Sequence, residues 1–282
     1  MQDVDYLIEE FKSAFYSCRY NDLCSIYTQL REAGKNDSKL KRLLDFAEYR
    51  RFKSEEEFLE VCLNYLDSSE WSVVSDSNGI KVESRGGGNE FYTRCTVNIN
   101  SSLFKVISVL SEPDLVTTWV DVLKQVDVYH SPTMTRKLVK YLFWFPWPVS
   151  DRHCVMEFNA LPLVQRRALI VTMKSPTSEN YLNFKIPALR DGETRMWVRV
   201  GCLYAEYVDE NRTKVVFMIN SDMNIAILPL VLINFGAKHI MYYVMDKLRN
   251  KIENFDGSVY EERVRAKPEY YDFLQKTISE SI

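Results

Sequence analysis

The chain has 282 residues, 46% apolar and 27% charged, with only 9 Gly and 9 Pro. That is enough apolar material for one large core, and it excludes collagen-like, disordered and disulfide-scaffold proteins. Lys and Arg total 36 against 39 Asp and Glu, a net charge of −3; such a balance lacks the overall field of a nucleic-acid binder.

Taken in order, the first 67 residues read as helices. Leu7, Ile8, Phe11, Ala14 and Phe15 recur at helical spacing, as do Leu23, Ile26, Tyr27 and Leu30, with Gly34 at a helix end. A third helix is expected over 38–52 on Leu40, Leu43, Leu44 and Ala47. A fourth is expected to open with the capping box Ser54-Glu55-Glu56-Glu57. From Trp71 the pattern turns to strands: 71–75 and 80–84 joined at Asn78-Gly79, then 91–99. Short helices follow at 102–110 and from Pro113 to 120. Six strand-like runs come next, at 122–130, 136–145, 152–160, 167–174, 195–208 and 213–221. A long helix over 226–254 and a polar tail with a short helix near 268–279 complete the pass.

The expected architecture is α+β: a curved antiparallel sheet of about nine strands wrapped around one long C-terminal helix, a helix grip. Residues 1–65 form an all-helical extension and 66–282 the ligand-binding unit. A sheet curled around a helix leaves space between them, which either side chains or a ligand must fill.

No catalytic residue is assigned. Six cysteines lack any C-x-x-C spacing, the histidines 130, 153 and 239 are scattered, and no G-x-S-x-G or H-E-x-x-H motif occurs. No metal and no cofactor is expected, and the cysteines read as reduced thiols of a cytoplasmic protein. The opening MQDVDYLIEEF is acidic and unlike a targeting peptide. The longest apolar run, 225–235, is 11 residues and includes Pro229 and Asn234, well short of the ~18 that cross a bilayer.

Four features in order resemble the START family, the StAR-related lipid transfer domains. They are Trp71 ahead of Asn78-Gly79-Ile80-Lys81-Val82; Trp119; the turn Phe145-Pro146-Trp147-Pro148-Val149-Ser150-Asp151-Arg152; and Leu228-Pro229 with Leu232-Ile233-Asn234-Phe235-Gly236-Ala237-Lys238. The resemblance implies one lipid held in a tunnel between sheet and closing helix and carried between membranes. The closing helix looks most like the phosphatidylcholine-transfer branch. The headgroup positions of that branch depart from its pattern: Val116 and Val120 flank Trp119, and the cage positions are Leu110, Tyr141 and Leu203. Where the sterol branch carries an arginine this chain has Phe158. A phospholipid with loose headgroup selectivity is therefore the expected ligand.

Strand alternation offers Tyr141, Phe143, Phe145, Cys154, Met156, Phe158, Met218 and Asn220 as inward positions, and the closing helix adds Leu232, Phe235 and Ile240. The segment 175–193 mixes Tyr181, Leu182 and Phe184 with Lys185, which suits insertion at a membrane surface together with Lys238. The expected partners are thus a lipid and, transiently, a membrane, for a protein working as a monomer at that surface without nucleic acid. Two alternatives stay open: a lipid sensor or scaffold read by a protein partner on residues 1–65, and a sterol or ceramide carrier.

Overall fold

The computed structural model describes residues 4–35, 41, 44–87, 90–225 and 230–282; the side chains of 230–234 and 237 also fall outside that description. Three helices come first, α1 (Val4–Tyr16), α2 (Tyr20–Gly34) and α3 (Ala47–Asp67). The last of these corrects the expected break at Ser54. Arg51 pairs with Glu55 across one turn at 2.6 Å, Phe52 and Leu59 are buried on a continuous face, and Ser54 sits mid-helix. A capping-box pattern inside an uninterrupted apolar stripe does not start a helix. Leu40 and Leu43 lie outside the described residues.

The strands are β1 (Ser72–Ser77), β2 (Ile80–Arg85), β3 (Tyr92–Ile99), β4 (Leu123–His130), β5 (Arg136–Phe143), β6 (Arg152–Leu163), β7 (Ala168–Lys174), the two-residue β8 (Asn180–Tyr181), β9 (Phe184–Lys185) and β10 (Thr194–Arg195), then β11 (Trp197–Asp209) and β12 (Arg212–Asp222). The main sheet runs β1-β2-β3-β12-β11-β7-β6-β5-β4, antiparallel throughout, with β10 joined parallel to β6. Asn78 and Gly79 both take positive φ, 52° and 72°, as a two-residue hairpin turn needs. Gly86 is required too: at φ 76° its Cβ would lie 2.1 Å from the Glu90 carbonyl oxygen. Among the other helices are α4 (Leu103–Leu110), α5 (Leu230–Glu253), α6 (Val259–Ala266) and α7 (Pro268–Ser281), with a 3-10 turn at Pro113–Thr118. The curved sheet and its long closing helix match the α+β helix grip expected from the sequence.

Both faces of the sheet are covered. On the inner face α5 lies over β2 and β3, α4 over β11 and β12, and α7 over β6 and β7. Val97, Tyr141, Met156, Met173 and Val215 from the strands meet Met241, Met245, Leu248 and Ile252 of α5 in one core. On the outer face Leu59 and Cys62 of α3 cover Ile170, Cys202, Val216 and Met218. Behind them lies a buried ion network. Arg136, 1% exposed, grips Glu55 at 2.8 Å, donates to the Phe15 carbonyl and stacks its guanidinium 3.9 Å from the Phe15 ring centroid. Arg51 joins Glu55 to Glu157, at 2.6 and 2.7 Å. Burial works against the charge of Glu55, yet the two guanidiniums win and hold its carboxyl below the ordinary value.

This layering corrects several expected positions. Met218 and Asn220 point outward: in β12 it is Val215, Phe217 and Ile219 that face the inner core, Met218 sits under α3, and Asn220 donates to the Phe91 carbonyl. Phe235 (61% exposed) and Ile240 (39%) face away from the sheet, because the buried stripe of α5 runs through Met241, Met245, Leu248 and Ile252. The side chain of Leu232, and residues Leu228 and Pro229, lie outside the described residues. Tyr181 is 2% exposed and stacks under Arg51. It packs with Leu138, Val155 and Ile186, against which Leu182 and Phe184 lie half-buried, so this segment does not present its aromatics to a membrane. Lys185 is exposed and Lys238 half-buried, the latter over the Phe91 ring.

Candidate functional site

The inner face holds a cavity of about 400 Å³. Its wall is built from the middle of β5 (Val139, Tyr141), the second half of β6 (Phe158, Ala160, Pro162) and the start of β7 (Leu169, Val171). These positions share a face because alternate residues on antiparallel strands do, and the register sets Phe158 opposite Lys137 and Val171 opposite Ala160. Ile107 and Leu110 at the end of α4 close one side, and Phe273 and Leu274 of α7 form the roof. The mouth lies between α7 and the α1–α2 turn, where Cys18, Arg19 and Tyr20 line the edge.

Of the sequence-chosen ligand positions, Tyr141 and Phe158 line this cavity. Met156, Trp119 and Val120 are buried in the inner core, with Val116, Phe143 and Leu203 packed against it. Trp119 is held by its indole N–H, which donates to the Tyr260 hydroxyl at 2.8 Å. Burial pushes the Tyr260 phenol up to about 12, so it stays neutral and able to accept. The roof was the missed part. Tyr271, Leu274 and Ile278 are buried at the three-and-four spacing of an amphipathic helix, a signal present in what reads as a polar tail.

Beside the mouth an open groove of about 620 Å³ runs between Pro113, Val128, Thr133 and Lys267. A polar cluster pins the C-terminal helices there. Lys267 reaches Glu112 at 2.8 Å, Arg263 reaches Asp114 at 2.7 Å and Glu112 at 3.3 Å, and the Tyr271 hydroxyl donates to Glu112 at 2.9 Å. Lys137 stands where cavity and groove meet, lining both.

At the opposite end of β5 the proline-rich turn is fixed by Arg152, 5% exposed. Its guanidinium donates to the carbonyls of Ser150, Met223 and Asn224, so it ties the turn through carbonyls and not through Asp151. Asp151 pairs with Lys124 instead, at 2.6 Å. The turn itself projects Trp147, 93% exposed, beside Trp144 at 47%. Among the described residues no group of His, Cys, Asp and Glu is placed to hold a metal ion, and no helix is long and apolar enough to cross a membrane.

An inner cavity roofed by helices on a gripped sheet defines a class of fold, and comparison with solved structures gives it a name. Human StAR-related lipid transfer protein 5 superposes with a TM-score of 0.65 at 15% identity, covering 74% of this chain and 99% of that one. Human STARD10 gives 0.65 at 13% identity over 79% of this chain and 87% of its own. A STAR-related lipid transfer protein fragment from Xanthomonas axonopodis gives 0.55 at 22% identity, over 65% and 99%. The chain has the START helix-grip fold. No protein-family model matches the sequence, and no curated protein matches it.

Proposed function

We propose that this protein binds one lipid in the inner cavity and transfers it between membranes, with phospholipid as the cargo read from the sequence. The observation that carries this reading is the cavity itself: about 400 Å³ left open inside an otherwise packed core and walled mostly by aliphatic and aromatic side chains. Open apolar space of that size is costly unless something fills it. The solved StAR-related lipid transfer proteins that share this fold support the same reading.

A methylene takes about 30 Å³, the share of a water molecule in the liquid, so the cavity matches roughly a dozen of them. That is one acyl chain. A second chain needs α7 to move away from β6 and β7. In a carrier assay, catalytic amounts of the protein should speed movement of labelled phospholipid between vesicles, and native mass spectrometry should find a co-purified lipid. A protein that arrives empty and leaves exchange at the spontaneous rate would defeat the proposal. A sensor is the second reading, favoured by the α1–α2 turn at the mouth; it predicts stoichiometric binding with no faster exchange.

Membrane docking is assigned here to Trp144 and Trp147 with Phe235 and Ile240, the exposed apolar groups of the proline-rich turn and of α5. Aromatic rings of this kind settle at the lipid–water interface. Trp144→Ala with Trp147→Ala should lower vesicle co-sedimentation by about tenfold or more, since each ring is worth ~1.5–3 kcal/mol when buried. Unchanged co-sedimentation would remove these residues from the docking surface.

A further inference from the structure

We propose that the cavity's ligand carries a single acyl chain and an anionic head, a carboxylate or a phosphate, held by Lys137. This rests on the lipid reading above and adds the class of ligand.

Lys137 is the point where an apolar cavity becomes a polar groove, and its environment is unusual for a lysine. Its strand neighbour Arg136 is buried on the outer face with Glu55 as a full partner. Lys137, one residue on, points to the inner face, where it lines the same cavity as Val139 and Tyr141. Its ammonium donates to the carbonyl of Ser111, just past the end of α4, and lies 5.4 Å from the Tyr270 ring centroid. Among the described residues no carboxylate forms a salt bridge with it. The nearest candidate, Glu112, is already engaged by Lys267, Arg263 and the Tyr271 hydroxyl, and Asp114 by Arg263. An ammonium has three donors, so the Ser111 carbonyl leaves two without a charged acceptor. Burial accordingly depresses its pKa, with Glu112 only partly offsetting that.

A half-buried lysine against an apolar wall, with no carboxylate of its own, is uncommon and carries a desolvation cost. An anion arriving at the cavity mouth relieves that cost and gains a charge-assisted hydrogen bond. The geometry then orders the ligand: head at Lys137, at the boundary with the open groove, and chain running between Phe158, Val171 and Leu274. The cavity holds about one chain's length of methylenes, which sets the chain count.

Equilibrium binding by the full, delipidated chain tests this with three probes: myristate, 1-myristoyl-lysophosphatidylglycerol and myristyl alcohol. The wild type should bind the first two at least tenfold more tightly than the alcohol, and the two acidic probes separate a carboxylate head from a phosphodiester. Lys137→Met should weaken both by tenfold or more and leave the alcohol unchanged, while Lys137→Arg should keep most of the affinity. Unaltered alcohol binding also certifies that the variant is folded. Equal affinity for all three probes, or an equal loss of all three in Lys137→Met, overturns the inference. Should none of the probes bind while phospholipid transfer proceeds, this inference fails and the carrier reading stands; if transfer is absent too, both fail.

Discussion

In urea, Glu55→Ala is expected to lose about 3–5 kcal/mol of stability, the cost of leaving buried charge without its partner. Against a typical total of ~5–15 kcal/mol that is a large fraction. Glu55 is contacted by Arg136 through two nitrogens and by Arg51 through a third, so its loss strands the buried Arg136 guanidinium and leaves Arg51 with Glu157 alone. Replacing only the charge gives a finer test. The carboxyl of Glu55 lies below its ordinary value of 4.5 in the folded chain, so the ionised form contributes fully above that pH. The contribution drains away as pH falls below 4.5 through the folded-state value. Glu55→Gln should therefore show a shallower acid limb in stability against pH than the wild type. An acid limb of equal slope would show that other carboxylates govern it. Exchanging the Glu55–Arg136 pair for Leu and Met should recover much of what Glu55→Ala loses.

Val171→Trp should weaken lipid binding by about fiftyfold while the protein remains folded. Val171 is half-buried in the cavity wall, so a larger ring there occupies ligand space rather than core. Displacing about three methylenes of ligand at ~0.8 kcal/mol each costs ~2.4 kcal/mol, or about fiftyfold in affinity. The melting temperature of the empty protein should hold or rise, because a filled void restores packing. Phe158→Asp at the same wall is a poorer probe, since an unpaired carboxylate damages any apolar environment. Full lipid occupancy in Val171→Trp would show that the ligand does not sit in this cavity.

The grip architecture was legible in the sequence because turn chemistry and periodicity agreed. Asn78-Gly79 marks a hairpin, Pro113 a helical start, and the strand runs fall at regular spacing before one long helix. What escaped were choices between two apolar faces. In β12 both Val215–Phe217–Ile219 and Val216–Met218 are apolar, because α3 covers one side of the sheet as α5 covers the other, so alternation alone assigns no inside. In α5 the same ambiguity put Phe235 and Ile240 inward. Gly236 in that helix is not explained by close packing either, since a Cβ there would meet nothing within 4 Å. The aromatic segment around Tyr181 looked like membrane anchors because Arg51 and Leu138, its actual neighbours, are distant in the chain. Lys137 gave no signal at all: one lysine in a strand becomes informative only once the nearby carboxylates, Glu112 and Asp114, are seen to be engaged by Lys267 and Arg263.

The roof of the cavity is also late in the chain. β12 ends at Asp222 and α7 starts at Pro268, so during synthesis at ~5–20 residues per second the walls exist for several seconds before their cover does. During that interval the apolar trough made by β5, β6 and β7 faces water, and anything greasy nearby competes with the helix still to come. A nascent chain could thus acquire its first passenger before leaving the ribosome, with folding of the last helix sealing it in.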